Sequence, residues 1–160
     1  MARIRYDFQS LGPVEGGTAQ QTSGTSAQDS GVASGGAATI EAGDVVVYAN
    51  GYWAKVADGG AATAGQYGLA VEASDETASA DGLVTVLYHP AGLLVRGTPT
   101  TVGNLALAII GDRVTMDVAS GNQTVDENDA GNGELRILRY VSTSGQESID
   151  VVLPWNASLS

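Results

Sequence analysis

The chain has 160 residues but no cysteine, one lysine (Lys55), one histidine (His89) and one phenylalanine (Phe8). Without cysteine, a thiolate nucleophile, a redox dithiol and a cysteine-ligated zinc or iron–sulfur site are impossible. A single histidine also excludes a multi-histidine metal centre. Basic residues are scarce: 7 lysines and arginines stand against 18 acidic residues, a formal charge of −11. That balance argues against a nucleic-acid partner, because binding a polyanion needs cations that neutralise phosphates. It argues equally against an anionic membrane surface. Long hydrophobic runs are missing too. The longest, 105–110, falls far short of the roughly 20 residues of a membrane helix, and the start has no apolar stretch for a signal peptide. A soluble chain without metal or cofactor is expected.

Glycine is abundant, at 22 residues, and its distribution divides the chain. Between positions 9 and 38 the only larger aliphatics are Leu11, Val14 and Val32, set among Gly, Ser, Thr, Ala and Gln. Such a segment buries too little apolar area to offset its ordering entropy, so residues 1–38 are expected to form a flexible, extended arm. Its tip differs. Ile4, Tyr6 and Phe8 alternate with Arg3, Arg5 and Asp7, the period of a strand with one apolar face. Residues 1–8 therefore sum to +1 and the remainder to −12, which together give −11.

From residue 39 the chain reads as short strands punctuated by Gly, Asn and Asp, with candidates at 44–49, 52–57, 67–73, 83–88, 92–96, 104–110, 112–118, 134–141 and 148–153. Turn signals separate them, among them Asn50-Gly51, Gly111-Asp112, Ser120-Gly121-Asn122 and Ser144-Gly145. No stretch sustains a helical period with caps at both ends. The expected fold is all-β, a small barrel or sandwich of many short strands over 39–160. Residues 42–51 can be laid on 102–111 without a gap. A repeat of that kind would divide the body into similar halves, 39–96 and 97–160.

Chemistry-bearing residues are sparse. Asp126, Asn128, Asp129 and Asn132 sit in a glycine-rich loop, where two readings fit: hard oxygen ligands for Ca²⁺, or a solvated acidic hairpin loop. The order departs from an EF-hand, and no closing Glu stands at the expected distance. His89 precedes Pro90 at a strand end; as a general base it would need an orienting carboxylate and a nucleophile, and no nucleophile elbow is recognisable, so a His-Pro turn is expected. The glycines match neither a Walker loop nor a dinucleotide fingerprint. No enzyme is expected. Tyr52, Trp53 and Trp155 are the larger aromatics, read either as core packing or as anchors of a protein interface.

Several segments in order carry a resemblance. They are Asp44-Val45-Val46-Val47-Tyr48-Ala49-Asn50-Gly51-Tyr52-Trp53-Ala54-Lys55-Val56, Gly65-Gln66-Tyr67-Gly68-Leu69-Ala70-Val71-Glu72-Ala73, Gly82-Leu83-Val84-Thr85-Val86-Leu87-Tyr88 and Gly92-Leu93-Leu94-Val95-Arg96. This succession resembles the head decoration, or cement, proteins of tailed bacteriophages, the lambda-type family included. The likeness covers 40–96, extends to the arm by composition and weakens over 97–160. It implies a β-tulip-like domain behind an N-terminal arm, assembled as a homotrimer on the outer surface of the virion capsid. The implied partners are the major capsid protein and further copies of the chain itself, and synthesis would be in the host cytoplasm. The strand-like tip of Arg3, Ile4, Arg5, Tyr6 and Phe8 suits β-augmentation of an exposed capsid edge. The competing reading is a phage fibre or surface adhesin domain that binds a glycan or receptor.

Overall fold

A computed structural model describes residues 8–14, 20–26, 40–49, 51–57, 66–75, 81–131, 133 and 135–154. The architecture is all-β, built from two sheets. The strands are β1 (Gln9–Pro13), β2 (Gln20–Ser26), β3 (Val45–Ala49), β4 (Tyr52–Lys55), β5 (Gln66–Ala70), β6 (Gly82–Tyr88), β7 (Leu93–Gly97), β8 (Arg113–Ala119), β9 (Asn122–Asp126), β10 (Leu135–Val141) and β11 (Ser148–Leu153). Among the described residues the helical elements are two short 3₁₀ turns, Val102–Asn104 and Leu107–Ile109.

Strands β2-β4-β3-β5-β6 close into a small barrel, and β1-β7-β11-β10-β8-β9 form a six-stranded sheet. Among the described strands every pairing is antiparallel except the parallel contact of β2 with β4, where Ser26 stands opposite Trp53; outside the strands a parallel bridge joins Pro99 to Val125. The turn residues act as their chemistry dictates. Ser120 and Gly121 both take positive φ, 52° and 81°, and join Ala119 to its partner Asn122 in a two-residue hairpin.

The Val45-Val46-Val47 run is explained by its position between two cores. Val46 points into the barrel interior with Ile40, Trp53, Ala70, Val84 and Val86. Val45 points the other way, into the core shared with the six-stranded sheet, alongside Tyr67, Leu93, Met116, Ile137 and Ile149. A strand covered on both faces reads as a continuous apolar run, not an alternation. Gly68 opposes Val46, and a Cβ there would lie 2.2 Å from Val86 Cγ1. Glycine leaves the space that the Val86 side chain of the neighbouring strand β6 occupies.

Three expectations are corrected. The segment expected as an arm contains β1, which pairs with β7, and β2, which pairs with β6 from Gln20↔Tyr88 to Ser26↔Gly82. These strands carry almost no hydrophobic signal, because main-chain bonding to a neighbouring edge holds them. In β1 the register slips between Ser10 and Gly12, with Gly12 at φ 94°, a bulge that together with Pro13 blunts the sheet edge. Residues 104–110, expected as a strand, lie in the 3₁₀ segment instead. Of the two aligned stretches, the first holds strand β3, Val45–Ala49, and the second holds the two 3₁₀ turns. Strand β9 was not anticipated at all, since its Asn-Gln-Thr-Val-Asp sequence holds one aliphatic residue.

Candidate interaction surfaces

Most buried polar groups in this protein stitch the fold together. Gln123, on β9 and 1 % exposed, accepts the Val45 N–H at Oε1 (2.7 Å) and donates from Nε2 to the carbonyls of Val45 (2.9 Å) and Val56 (3.0 Å). Its whole carboxamide is therefore used between the two sheets. Asp44 Oδ2 meets Lys55 Nζ at 2.9 Å in a nearly buried ion pair and accepts the Glu41 N–H at 2.8 Å. Burial pushes the Asp44 carboxyl up from its ordinary value, outweighing the Glu41 N–H and the Lys55 ammonium, which pull it down.

Asp150, on the middle strand β11, is 1 % exposed. It takes a bidentate bond from Arg96 (Nε to Oδ1 2.8 Å, Nη2 to Oδ2 3.0 Å) and a third bond from Arg139 Nε. Burial acts to raise this carboxyl. The guanidiniums, Arg96 foremost, more than offset it and hold Asp150 below its ordinary value.

The acidic loop after β9 uses its oxygens internally. Glu127, 3 % exposed, accepts the N–H groups of Thr100 (3.1 Å) and Thr101 (3.0 Å). Asp126 Oδ1 accepts the Asn128 N–H, Asp129 accepts the Thr115 hydroxyl, and Asn128 Oδ1 accepts from Asn104 Nδ2 at 2.7 Å. Asn132 lies outside the described residues. Among those described, no group of three or more His, Cys, Asp or Glu side chains is placed to hold a metal. His89 sits in a tight turn, where Nδ1 accepts the Ala91 N–H and its carbonyl accepts the Gly92 N–H.

Of the expected binding residues, Arg3, Ile4, Arg5, Tyr6 and Trp155 lie outside the described residues. Phe8 is placed differently from the expectation: it is 3 % exposed and belongs to the main core. A Cβ on Gly97 would fall 2.3 Å from its ring, so the glycine makes the seat for Phe8. Trp53 also turns inward, because on β4 it alternates with Tyr52. It packs in the barrel core, with the Tyr48 ring 5.2 Å away. Tyr52, 39 % exposed, faces outward at this hairpin, as does Tyr48, 37 % exposed.

The surface that the sequence did not reveal is the segment 102–110. Leu107 is 82 % exposed, Val102 52 % and Ile110 41 %. Both ends are fastened. Glu127 and Asn128 hold Thr100, Thr101 and Asn104 as above, while Ile109 is buried in the core and the Gly111 N–H bonds the Ile137 carbonyl. The result is an aliphatic protrusion on an anchored base. The apolar density of 105–110 was visible in the sequence, but nothing local distinguishes a buried strand from an exposed 3₁₀ segment.

No family model, curated protein or solved structure matches the chain in comparisons with known proteins.

Proposed function

We propose that the chain is a capsid decoration, or cement, protein that binds the outside of a tailed-phage head as a homotrimer. In this role it clamps neighbouring major capsid subunits against the pressure of packaged DNA. The observation that carries this reading is the 102–110 protrusion, where Leu107 and Val102 stand in solvent on a base fixed by Glu127 and Ile109. Exposed aliphatic groups on a fixed base suit contact with another protein. The cement-like segments support the same reading: they supply β3 to β6 of the barrel and β7 of the sheet. With Phe8 in the core, capsid contact by the N-terminus would fall to the basic residues ahead of it, Arg3 and Arg5.

Cryo-imaging of capsids mixed with the protein tests the proposal. Added density is expected at three-fold and quasi-three-fold positions of the shell. Bare capsids at saturating protein would overturn it.

A further inference from the structure

Glu127 is a buried carboxylate whose bonding partners among the described residues are all neutral donors. At 3 % exposure, its Oε2 accepts the Thr100 N–H at 3.1 Å and its Oε1 accepts the Thr101 N–H at 3.0 Å. Two side-chain amides reach the same Oε1 from farther away, Asn104 Nδ2 and Asn128 Nδ2, each at 3.4 Å. Burying a charge is costly unless strong hydrogen bonds satisfy it. Here main-chain N–H groups of two successive residues do so.

Those two residues stand at the entry to the 102–110 protrusion. Just before it, the chain runs along the outer edge of β9. The Val125 N–H bonds the Thr98 carbonyl, the Thr100 N–H bonds the Val125 carbonyl, and Pro99 forms the parallel bridge with Val125. The Thr100 and Thr124 hydroxyls meet at 2.7 Å. At Thr101 that ladder ends and the first 3₁₀ turn begins. Thr101 is the N-cap of the turn, its side chain makes no capping bond, and its N–H is held by Glu127. Farther on, apolar contacts take over: Leu105 packs against the core and Ile109 is buried in it. Glu127 thus fixes the point where the chain leaves the sheet and Val102 enters solvent.

We propose that Glu127 is a positioning residue for the surface at 102–110, its carboxylate a clasp that sets the turn in its binding shape before a partner arrives. That the partner is a capsid subunit rests on the proposed function; the clasp itself does not. A loop that must be ordered on docking loses affinity to the ordering cost, and a preset loop keeps it. When about one molecule in ten is clasped, apparent affinity falls about tenfold. Glutamine offers one acceptor oxygen where the carboxylate has two, so at position 127 it sets an NH₂ donor against the N–H of Thr100 or Thr101. Glu127→Gln therefore opens the clasp with little change in side-chain size.

Amide exchange of the full chain, with and without Glu127→Gln, tests the clasp. The Thr101 N–H should lose protection about tenfold or more, while Ile137 and Val151 in the sheet keep theirs. Capsid occupancy at limiting protein should fall by a similar factor, with thermal unfolding still cooperative. Asn104→Ala, at an exposed position, removes one donor from the clasp and should shift both readings the same way by less. It decides the matter if Glu127→Gln does not fold. The chain has no cysteine, so Thr100→Cys with Thr124→Cys supplies a removable tether where the two hydroxyls meet. Added to Glu127→Gln, the oxidised tether should restore occupancy, and reduction should abolish the rescue. Unchanged Thr101 exchange in both variants would overturn the proposal. Lost protection with full occupancy would do the same, as would an oxidised tether that leaves occupancy low. A wild-type chain that leaves capsids bare overturns the cement function instead, and Thr101 exchange then decides the clasp alone.

Discussion

The Gln123 carboxamide bonds both main-chain groups of Val45, a residue 78 positions away, accepting its N–H at 2.7 Å and donating to its carbonyl at 2.9 Å. A side chain thus imitates a neighbouring strand and joins the β8–β9 hairpin to the barrel. Replacing it with leucine of similar size leaves the Val45 N–H and the Val56 carbonyl without a partner in a dry interface. At about 1–3 kcal/mol for each buried group left unsatisfied, Gln123→Leu should cost about 3 kcal/mol in denaturant unfolding. Gln123→Glu should cost more, because it points a carboxylate oxygen at two carbonyls. A leucine variant within about 1 kcal/mol of wild type would show that this bond set does not hold the sheets together.

Asp150 makes the fold sensitive to acid. Its carboxyl is held below the ordinary value of 3.8, so its contribution is complete above that pH. It is lost as pH falls through the lowered folded value. Asp150→Asn should therefore be less stable than wild type at pH 7, with the gap closing below pH 3.8. Urea midpoints of both proteins measured across pH 2–7 read this directly. A gap independent of pH would mean that the hydrogen bonds of Asp150 matter and its charge does not.

Asp44 carries the opposite sign. Burial raises its carboxyl above 3.8, so the stability it contributes is present below that pH and is lost as pH rises through the folded value. Lys55 is what makes the buried charge tolerable at neutral pH. Lys55→Met should cost about 3–5 kcal/mol at pH 7 by leaving that carboxylate unpaired. The loss should ease on acidification at a higher pH than the Asp150→Asn gap does. Adding Asp44→Asn should recover most of the stability, since removing both charges is often neutral. A double variant as unstable as Lys55→Met would assign the defect to packing of the lysine stem.

Phe8 and Gly97 should be thermodynamically coupled. Phe8→Ala should cost about 3–5 kcal/mol as a core truncation. Gly97→Ala should be damaging in wild type but nearly silent once the ring is gone, a non-additivity that a double-mutant cycle measures. The same geometry sets the limit for N-terminal truncation. Removing residues 1–7 should leave cooperative unfolding intact, whereas removing 1–38 also deletes Phe8, β1 and β2 and should unfold the domain.

What the sequence disclosed, and what it hid, follows from where the physical signal lies. Val45-Val46-Val47, Leu93 to Val95 and Ile149 to Val151 are strands because their side chains fill cores, and that is written in composition. The turn at Ser120-Gly121 is legible from Gly121, which adopts positive φ without strain, while Ser120 takes the same region at φ 52°. Strand β2 is not, since Gln20 to Ser26 are held by main-chain pairing to β6, and backbone bonds leave no mark on residue type. Phe8 was expected at the end of an alternating strand; it stands just ahead of β1, and its place in the core depends on a glycine 89 positions later. The bonding of Arg96 and Arg139 to Asp150 was equally hidden: the three are scattered along the chain and converge only through the order β7-β11-β10.

Leu107 separates function from stability most cleanly. At 82 % exposure its side chain has little packing to lose, and surface substitutions of this kind usually stay within about 0.5 kcal/mol. Leu107→Asp should therefore unfold at the wild-type temperature. If the 102–110 protrusion meets the capsid, the same change places a charge in an apolar contact, and capsid occupancy at limiting protein should fall at least about tenfold, the equivalent of about 1.4 kcal/mol. Ile109→Asp, three-dimensionally adjacent but buried, serves as the contrast: it should lose stability first and occupancy only as a consequence. Unchanged occupancy with Leu107→Asp would remove the protrusion from the capsid contact and shift attention to the N-terminal arginines.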